Sequence, residues 1–165
     1  MLPVEVNFIR PQECPIVKIS LWSERQKEFI SVSALIDTGA ALNVVNFQLW
    51  SDDLDTLLIS GYKKSVGGFG GSETDVELTA VRLRIGEQDF KYVGFYVGDL
   101  DYTNYDAILG MPFLKNFDFT FRLNTAGAYH GKLILNPLVK SSALVELRNF
   151  NPESSKFGIY YLQGE

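Results

Sequence analysis

The strongest constraint on the fold is a pair of alternating stretches that lead into one short turn. Residues 15–22 (PIVKISLW) and 28–36 (EFISVSALI) alternate in side-chain character with a period of two, and polar residues 23–27 separate them. Because successive strand side chains point to opposite faces, this pattern predicts a β-hairpin. The second strand runs directly into DTGAA (37–41). The hairpin therefore delivers a carboxylate, Asp37, to the end of a strand.

The rest of the chain carries the same alternation, in a composition rich in Phe (12), Tyr (8) and Gly (14) that favours strands and tight turns. VELTAVRLRI alternates with one slip near Val81, and MPFLKNF predicts a short helix with Pro112 in its first turn. The type of residues 50–58 stays open between a helical turn and irregular chain. Further strands are predicted at 4–9, 63–85 (two strands folded back over GGFGG), 86–100, 117–123 and 132–137. The predicted fold class is mainly β, with a closed, barrel-like sheet and one short helix.

Composition and charge exclude several classes of function. The net charge of −5 and the single Lys63-Lys64 pair argue against a nucleic-acid groove, which needs clustered cations. One cysteine, Cys14, cannot form an internal disulfide and suits a reducing compartment. The start MLPVEVNFIR does not resemble a signal peptide, and no apolar run approaches the roughly 20 residues of a membrane span. We therefore expect a soluble protein that binds neither nucleic acid nor membrane.

Asp37 is the first candidate for chemistry. A buried, unpaired carboxylate is unfavourable by several kcal/mol. Thr38 offers a hydroxyl donor, and Gly39 lets a backbone N–H approach the carboxylate closely. Asp-Thr-Gly between apolar strands can thus hold a carboxylate in a nearly dry turn. The alternative is an ordinary turn aspartate, since Asp and Gly are common turn residues.

Two further stretches combine glycine with apolar side chains. GGFGG (67–71) predicts a mobile hairpin tip that could cover an extended ligand, or a plain Gly-rich turn. A phosphate loop is disfavoured because no Lys-Ser or Lys-Thr follows. AILGMPFL (107–114) is either core or a support beneath the Asp37 turn.

In this order and spacing, these pieces resemble the retropepsins, the single-domain aspartic proteases of retroviruses, LTR retrotransposons and plant pararetroviruses. The resemblance rests on PIVKI, LIDTGA, VGGFGG and ILG, and it covers about Pro15 to Phe117. It implies an aspartic endopeptidase that cleaves a polyprotein and thereby also releases itself. The catalytic pair would consist of one Asp from each subunit. The chain has one Asp-Thr-Gly and is too short for the two-lobed form, so the resemblance implies a homodimer. It implies neither a cofactor nor a metal.

The resemblance also assigns roles to individual positions. Asp37 would be the catalytic carboxylate, Thr38 would brace the two active-site turns at the dimer axis, and Gly39 would present its backbone to carboxylate and substrate. Ala40 and Ala41 would line the cleft floor, and Ile108 would help to shape a subsite wall. The hairpin tip would form a flap that closes over the substrate, through Val66, Gly67, Gly68 and Phe69.

The sequence departs from the retropepsin pattern in two places. Some retroviral members pair an acidic residue with an arginine at the positions of Ala41 and Met111, and here both partners are missing. The chain after Gly110 is also longer than the short terminal strand of retroviral members. We therefore predict a protease domain (1–138) followed by an extension or linker (139–165). The source would be a pararetrovirus or retrotransposon, which places the protein in the host cytoplasm or inside a virus-like particle.

Other groups of residues are weaker candidates. Cys14 and His130 could form a nucleophile–base pair only if the fold brought them together. The acidic groups predict solvated surface. The aromatic tail could stack bases, although the acidic balance of the chain argues against this, or it could dock on the polyprotein itself. These residues are Asp52, Asp53, Asp55, Asp99, Asp101 and Asp106 in the acidic groups, and Phe157, Tyr160 and Tyr161 in the tail.

Two other functions stay open on the same fold. One is a non-catalytic module for peptide binding or dimerisation, and the other is a cellular, ubiquitin-linked retropepsin-like protease. The intact Asp-Thr-Gly favours an enzyme over the module.

Overall fold

Strands dominate the fold of this chain. A computed structural model describes residues 3–9, 15–69, 72–123, 131–138 and 159–160. The strands are β1 (Val4–Asn7), β2 (Ile16–Ser23), β3 (Glu28–Ile36), β4 (Val44–Asn46), β5 (Leu58–Phe69), β6 (Ser72–Ile85), β7 (Gln88–Gly98), β8 (Ala107–Leu109), β9 (Phe117–Leu123), β10 (Gly131–Pro137) and β11 (Ile159–Tyr160). The helices are α1 (Phe47–Leu49), which continues into a π-helical turn (Trp50–Leu54), and α2 (Met111–Leu114).

Six strands close into a barrel. They follow the order β7, β4, β8, β3, β2, β6, and β6 pairs back onto β7. Closure leaves none of these six with an open edge, while β5 and β11 extend the sheet outside the ring. A separate antiparallel sheet has the order β1, β10, β9. The prediction of a mainly β fold with a closed, barrel-like sheet is confirmed.

The hairpin predicted at 15–36 is present as β2 and β3. Its antiparallel register runs from the pair Ile16–Leu35 to the pair Ser23–Glu28. The alternation decides which side faces inward: Val17 is fully buried and the neighbouring Lys18 is exposed. The hairpin forms one wall of the barrel and ends at the Asp37 turn.

The slip in alternation near Val81 is a β-bulge. The register between β6 and β7 is irregular between Val81 and Leu83. Before the bulge, Val76 and Leu78 belong to a small cluster with Tyr96, whereas Val81 and Leu83 belong to the main core. The extra residue therefore moves the apolar side of β6 from one cluster to the other.

The predicted helix after the ILG motif is α2, and it packs into the main core. Its Phe113 is fully buried and meets Phe90 edge-on, with ring centroids 5.5 Å apart, and it also contacts Phe117. This packing fixes the chain that follows β8 against the barrel. None of the helices among the described residues is long and apolar enough to cross a membrane.

Two stretches differ from the expectation or lie beyond it. The undecided 50–58 stretch is helical as far as Leu54, so that a second helical element joins the one that was predicted. Of the predicted extension 139–165, only Ile159–Tyr160 lies within the described residues, where it pairs with β7. The boundary between residues 138 and 139 stays a prediction.

Candidate active site

The Asp37 turn begins where β3 ends and is shaped by its own backbone. The amide of Gly39 donates to Asp37 Oδ1 (2.8 Å), and the amide of Ala40 donates to the Asp37 carbonyl (3.2 Å). A Cβ added at Gly39 would lie 3.3 Å from Asp37 Oδ1. The close approach of amide to carboxylate that Asp-Thr-Gly predicts is therefore present.

The turn is open to solvent in the single chain. Asp37 is half-buried, whereas Thr38, Gly39 and Ala41 are exposed. The expectation of a nearly dry carboxylate is thus not met by one copy. The reason is positional: the apolar run of β3 ends at the buried Ile36, and the next residues project beyond the sheet.

The ILG motif backs this turn. Strand β8 lies between β3, to which it is parallel, and β4, to which it is antiparallel. The Asp37 amide donates to the Leu109 carbonyl (3.0 Å), and the Met111 amide donates to the Ala40 carbonyl (2.9 Å). Where some retroviral members pair an acid with an arginine, backbone hydrogen bonds join the same two segments here.

Glycine is required at position 110 because the contact leaves no room for a side chain. Its backbone is extended (φ −97°, ψ −165°), which any residue can adopt. A Cβ would however lie 2.5 Å from the Leu42 carbonyl oxygen and 2.7 Å from that of Ala40. The glycine lets the two segments pack backbone to backbone.

Ile108 lies behind the turn. It is 9% exposed and clusters with Val44 and Leu100, and the half-buried Ala40 and Leu42 pack against them. The structure thus brings Ile108 and Ala40 together, while a role for either in binding substrate stays a prediction.

The predicted flap is the hairpin of β5 and β6. Val66 pairs with Thr74 and Phe69 with Ser72, with an irregular register between the two pairs. Gly67 and Gly68 fall in that irregular part of β5, and residues 70–71 of GGFGG lie outside the described residues. The hairpin is confirmed, and its role as a lid stays a prediction.

Asn43 belongs to the site, although no sequence pattern singled it out. Its side chain is buried (1% exposed), donates to the Gly94 carbonyl (3.1 Å) and accepts from the Gly110 amide (2.9 Å). The only signal was a polar residue between Leu42 and Val44 in an otherwise apolar run.

The acidic candidates separate into surface residues and one anchor. Asp52, Asp55, Asp99 and Asp101 are exposed, as predicted, and Asp53 is half-buried. Asp106 is also half-buried, and its Oδ2 accepts the Ser33 amide (2.9 Å), a structural role that the surface assignment did not predict. The carboxylate satisfies a backbone donor of β3. No group of three metal-ligating side chains occurs in the part of the chain that the structure describes.

The remaining weak candidates fall mostly outside the described residues. Cys14, His130, Phe157 and Tyr161 lie there, and Tyr160 takes part in β11. The proposed nucleophile–base pair therefore stays untested.

The comparison with known families decides the relationship of this chain. The sequence pattern of the family described as aspartyl protease matches residues 28–113, which is more than half of the chain. The chain belongs to the aspartyl protease family. The match runs from the start of β3 into α2 and contains the Asp37 turn, the flap hairpin and the ILG motif. The prediction of a peptide hydrolase of the aspartic type is confirmed at the level of this family.

The comparison with solved structures gives a similar chain. A retropepsin-like aspartic protease from Rickettsia conorii, known from its crystal structure, is 20% identical in sequence to this chain, and the two structures superpose with a TM-score of 0.47. The alignment covers 82% of this chain and 99% of that one. A search of curated proteins finds no match to this chain.

Proposed function

We propose that this aspartyl protease family member is a retropepsin-type endopeptidase that works as a homodimer, with Asp37 of each copy forming the catalytic pair. The observation that carries the proposal is the Asp37 turn itself. The Gly39 amide holds the carboxylate, backbone hydrogen bonds to Leu109 and Met111 hold the turn, and the turn is exposed to solvent on the side where a second copy could bind. This sequence holds one Asp-Thr-Gly, and in the proposed dimer the second carboxylate comes from the second copy.

The chemistry follows from bringing two carboxylates together. Two like charges a few ångströms apart cannot both stay ionised, so the pair shares one proton, as is well known for aspartic proteases. The ionised member takes a proton from water, whose oxygen attacks the scissile carbonyl. The protonated member polarises that carbonyl, and a proton then passes to the leaving amine. Because one member must act as a base while the other acts as an acid, we expect activity to be highest at acidic pH.

Thr38 supports the dimer. It is exposed at the tip of the turn, and its hydroxyl meets no hydrogen-bond partner among the described residues. In a two-fold dimer the turns face each other, so Thr38 of each copy braces the opposite turn. Association also buries the two Asp37 side chains, and the nearly dry environment predicted from the sequence then belongs to the dimer.

The substrate we propose is an extended polypeptide, held between the Asp37 turn and the β5–β6 hairpin. Strand-like substrates bind through backbone hydrogen bonds that an adjacent hairpin can supply. Ala40, Ala41, Val66, Phe69 and Ile108 are the proposed contacts, and their apolar character favours bulky apolar residues beside the scissile bond. The proposed natural substrate is a viral or retroelement polyprotein, in the host cytoplasm or within a particle.

The test is cleavage of a polyprotein fragment by the full chain at mildly acidic pH, with and without a statine-type transition-state inhibitor. Asp37→Asn should abolish inhibitor-sensitive cleavage, because neither member of the pair can then act as the base. Asp118→Asn, on the exposed face of β9, is the matched control and should leave the rate unchanged. Normal cleavage by Asp37→Asn would refute the assignment.

A mixing experiment tests whether each copy supplies one carboxylate. Adding an equal amount of Asp37→Asn to a fixed amount of wild type should lower the rate to about half, because mixed dimers hold one Asp37. Specific activity should also fall on dilution. A rate that changes neither when the variant is added nor on dilution would contradict a shared site. The absence of cleavage at any protein concentration would favour a non-catalytic module.

A further inference from the structure

Asn43 connects three segments of the barrel from a buried position. Its own carbonyl accepts the Tyr96 amide (2.8 Å), and its Nδ2 donates to the Gly94 carbonyl (3.1 Å), so both groups bind it to β7. Its Oδ1 accepts the Gly110 amide (2.9 Å), 67 residues further along the chain. A buried amide with both ends bonded is held in one orientation.

The Gly110 amide belongs to the same peptide group as the Leu109 carbonyl. That carbonyl accepts the amide of Asp37 (3.0 Å) on its other side. Because a peptide group is planar and rigid, its two ends move together. Hydrogen bonds in such a chain also polarise one another and strengthen the arrangement. One continuous path therefore leads from β7 through the Asn43 side chain and the Leu109–Gly110 peptide to the backbone of Asp37.

We propose that Asn43 is a positioning residue. Through the Leu109–Gly110 peptide, it fixes the position of the Asp37 backbone at the end of the barrel. The inference rests on the proposed function, because the position of Asp37 matters for catalysis only if two copies of it must meet. Asn43 does not touch the reacting atoms. Its effect is on the alignment of the pair, where displacements well below 1 Å change the rate strongly.

The kinetic test compares two substitutions of similar shape. Asn43→Leu removes both side-chain hydrogen bonds. Asn43→Asp keeps the acceptor for the Gly110 amide. Its bonded neighbours among the described residues are backbone groups, so burial keeps the introduced carboxyl neutral at mildly acidic pH, where it also donates to the Gly94 carbonyl.

We expect Asn43→Leu to lower kcat by about tenfold or more with KM within about threefold, since alignment rather than binding is lost. Asn43→Asp should keep kcat within about threefold of wild type, because it keeps both side-chain hydrogen bonds. A merely structural role predicts that both variants keep the wild-type kcat once the rates are corrected for the folded fraction. Unchanged kcat in Asn43→Leu at equal folded fraction would overturn the proposal.

Asn116→Leu is the matched control. The side chain of Asn116 is also buried and also donates to two carbonyls, those of Pro112 and Phe113, but it reaches the Asp37 turn only indirectly, through two further hydrogen bonds of α2 and not through the Leu109–Gly110 peptide. It should lower thermal stability and leave kcat of the folded dimer within about twofold. An equal loss of kcat in Asn116→Leu would overturn the specific role of Asn43.

Hydrogen exchange separates this inference from the proposed function, because it needs no activity. We expect Asn43→Leu to speed exchange of both the Gly110 and Asp37 amides by about tenfold or more, relative to wild type and Asn116→Leu. Faster exchange at Gly110 with an unchanged Asp37 would overturn the proposed path. If the wild type cleaves nothing, the proposed function fails, and the exchange of Asp37 still decides whether Asn43 positions it.

Discussion

Gly110 is the point of closest approach between the Asp37 loop and the chain after β8, and Gly110→Ala tests that contact directly. The new Cβ would lie 2.5 Å from the Leu42 carbonyl oxygen, where real Cβ atoms keep at least about 3.0 Å. The backbones must therefore separate by about 0.5 Å. Both neighbours are backbone atoms, so no flexible side chain can relieve the overlap.

The expected loss of stability follows from this rigidity. Overpacking of a tight site costs about 1–3 kcal/mol. For a chain of this size, such a loss lowers Tm by about 2–12 °C. The extended backbone of Gly110 adds no conformational strain, so the loss comes from the overlap alone.

The activity should fall more than stability does. The Ala40 carbonyl, 2.7 Å from the new Cβ, also accepts the Met111 amide, so its displacement is passed into the Asp37 turn. A shift of about 0.5 Å in a catalytic group should lower kcat by about tenfold or more, since 1 Å can cost a hundredfold.

Gly131→Ala is the control. Its Cβ would meet the ring of Phe8 at 2.6 Å, an overlap of similar size on the β1–β10–β9 sheet, which does not contain the Asp37 turn. The overlap is with a side chain rather than with backbone oxygens, so Tm should fall no further than in Gly110→Ala, and kcat should stay at the wild-type value.

Thermal melts by circular dichroism at one fixed protein concentration measure Tm, because association itself shifts it. Peptide cleavage at a concentration where all chains are dimeric measures kcat. Wild-type Tm and kcat in Gly110→Ala would refute the close contact. Equal losses of kcat in both alanine variants would show that the effect is general destabilisation.

Two further predictions concern the barrel. Thr79→Val should lower stability by about 1–3 kcal/mol in a denaturant titration, because the buried Thr79 hydroxyl lies 2.6 Å from that of Thr56, which would be left unpaired. The exposed Thr120→Val on β9 should change it little. Arg84, and after it Arg82, hold the pKa of Asp89 below its usual range, so ionised Asp89 stabilises the fold at neutral pH and this contribution is lost as the pH falls through that lowered pKa. Asp89→Asn should thus lower Tm at neutral pH, with the difference from wild type narrowing in acid, and a difference independent of pH would contradict this.

Local patterns in the sequence predicted much of this fold. The 15–36 hairpin, the slip near Val81 and the short helix after the ILG motif all follow from side-chain period and turn residues, which act over a few positions. The Asp37 turn was also predicted, because Asp-Thr-Gly specifies its own amide–carboxylate contact. The undecided 50–58 stretch shows the limit, since its acidic and apolar residues fit more than one local structure.

The sequence alone thus determined most of the long strands, the turn and the family of this protein, because each is carried by neighbouring residues. Only the tertiary structure decided which strands close the barrel, that Asp37 is open to solvent in one copy, and that Gly110 is needed for space. It also decided that the side chains of Asn43 and Asp106 bond to distant backbone groups across the fold. These features depend on partners 67 and 73 positions away in the chain, and no local pattern encodes which distant backbone group a polar side chain will meet.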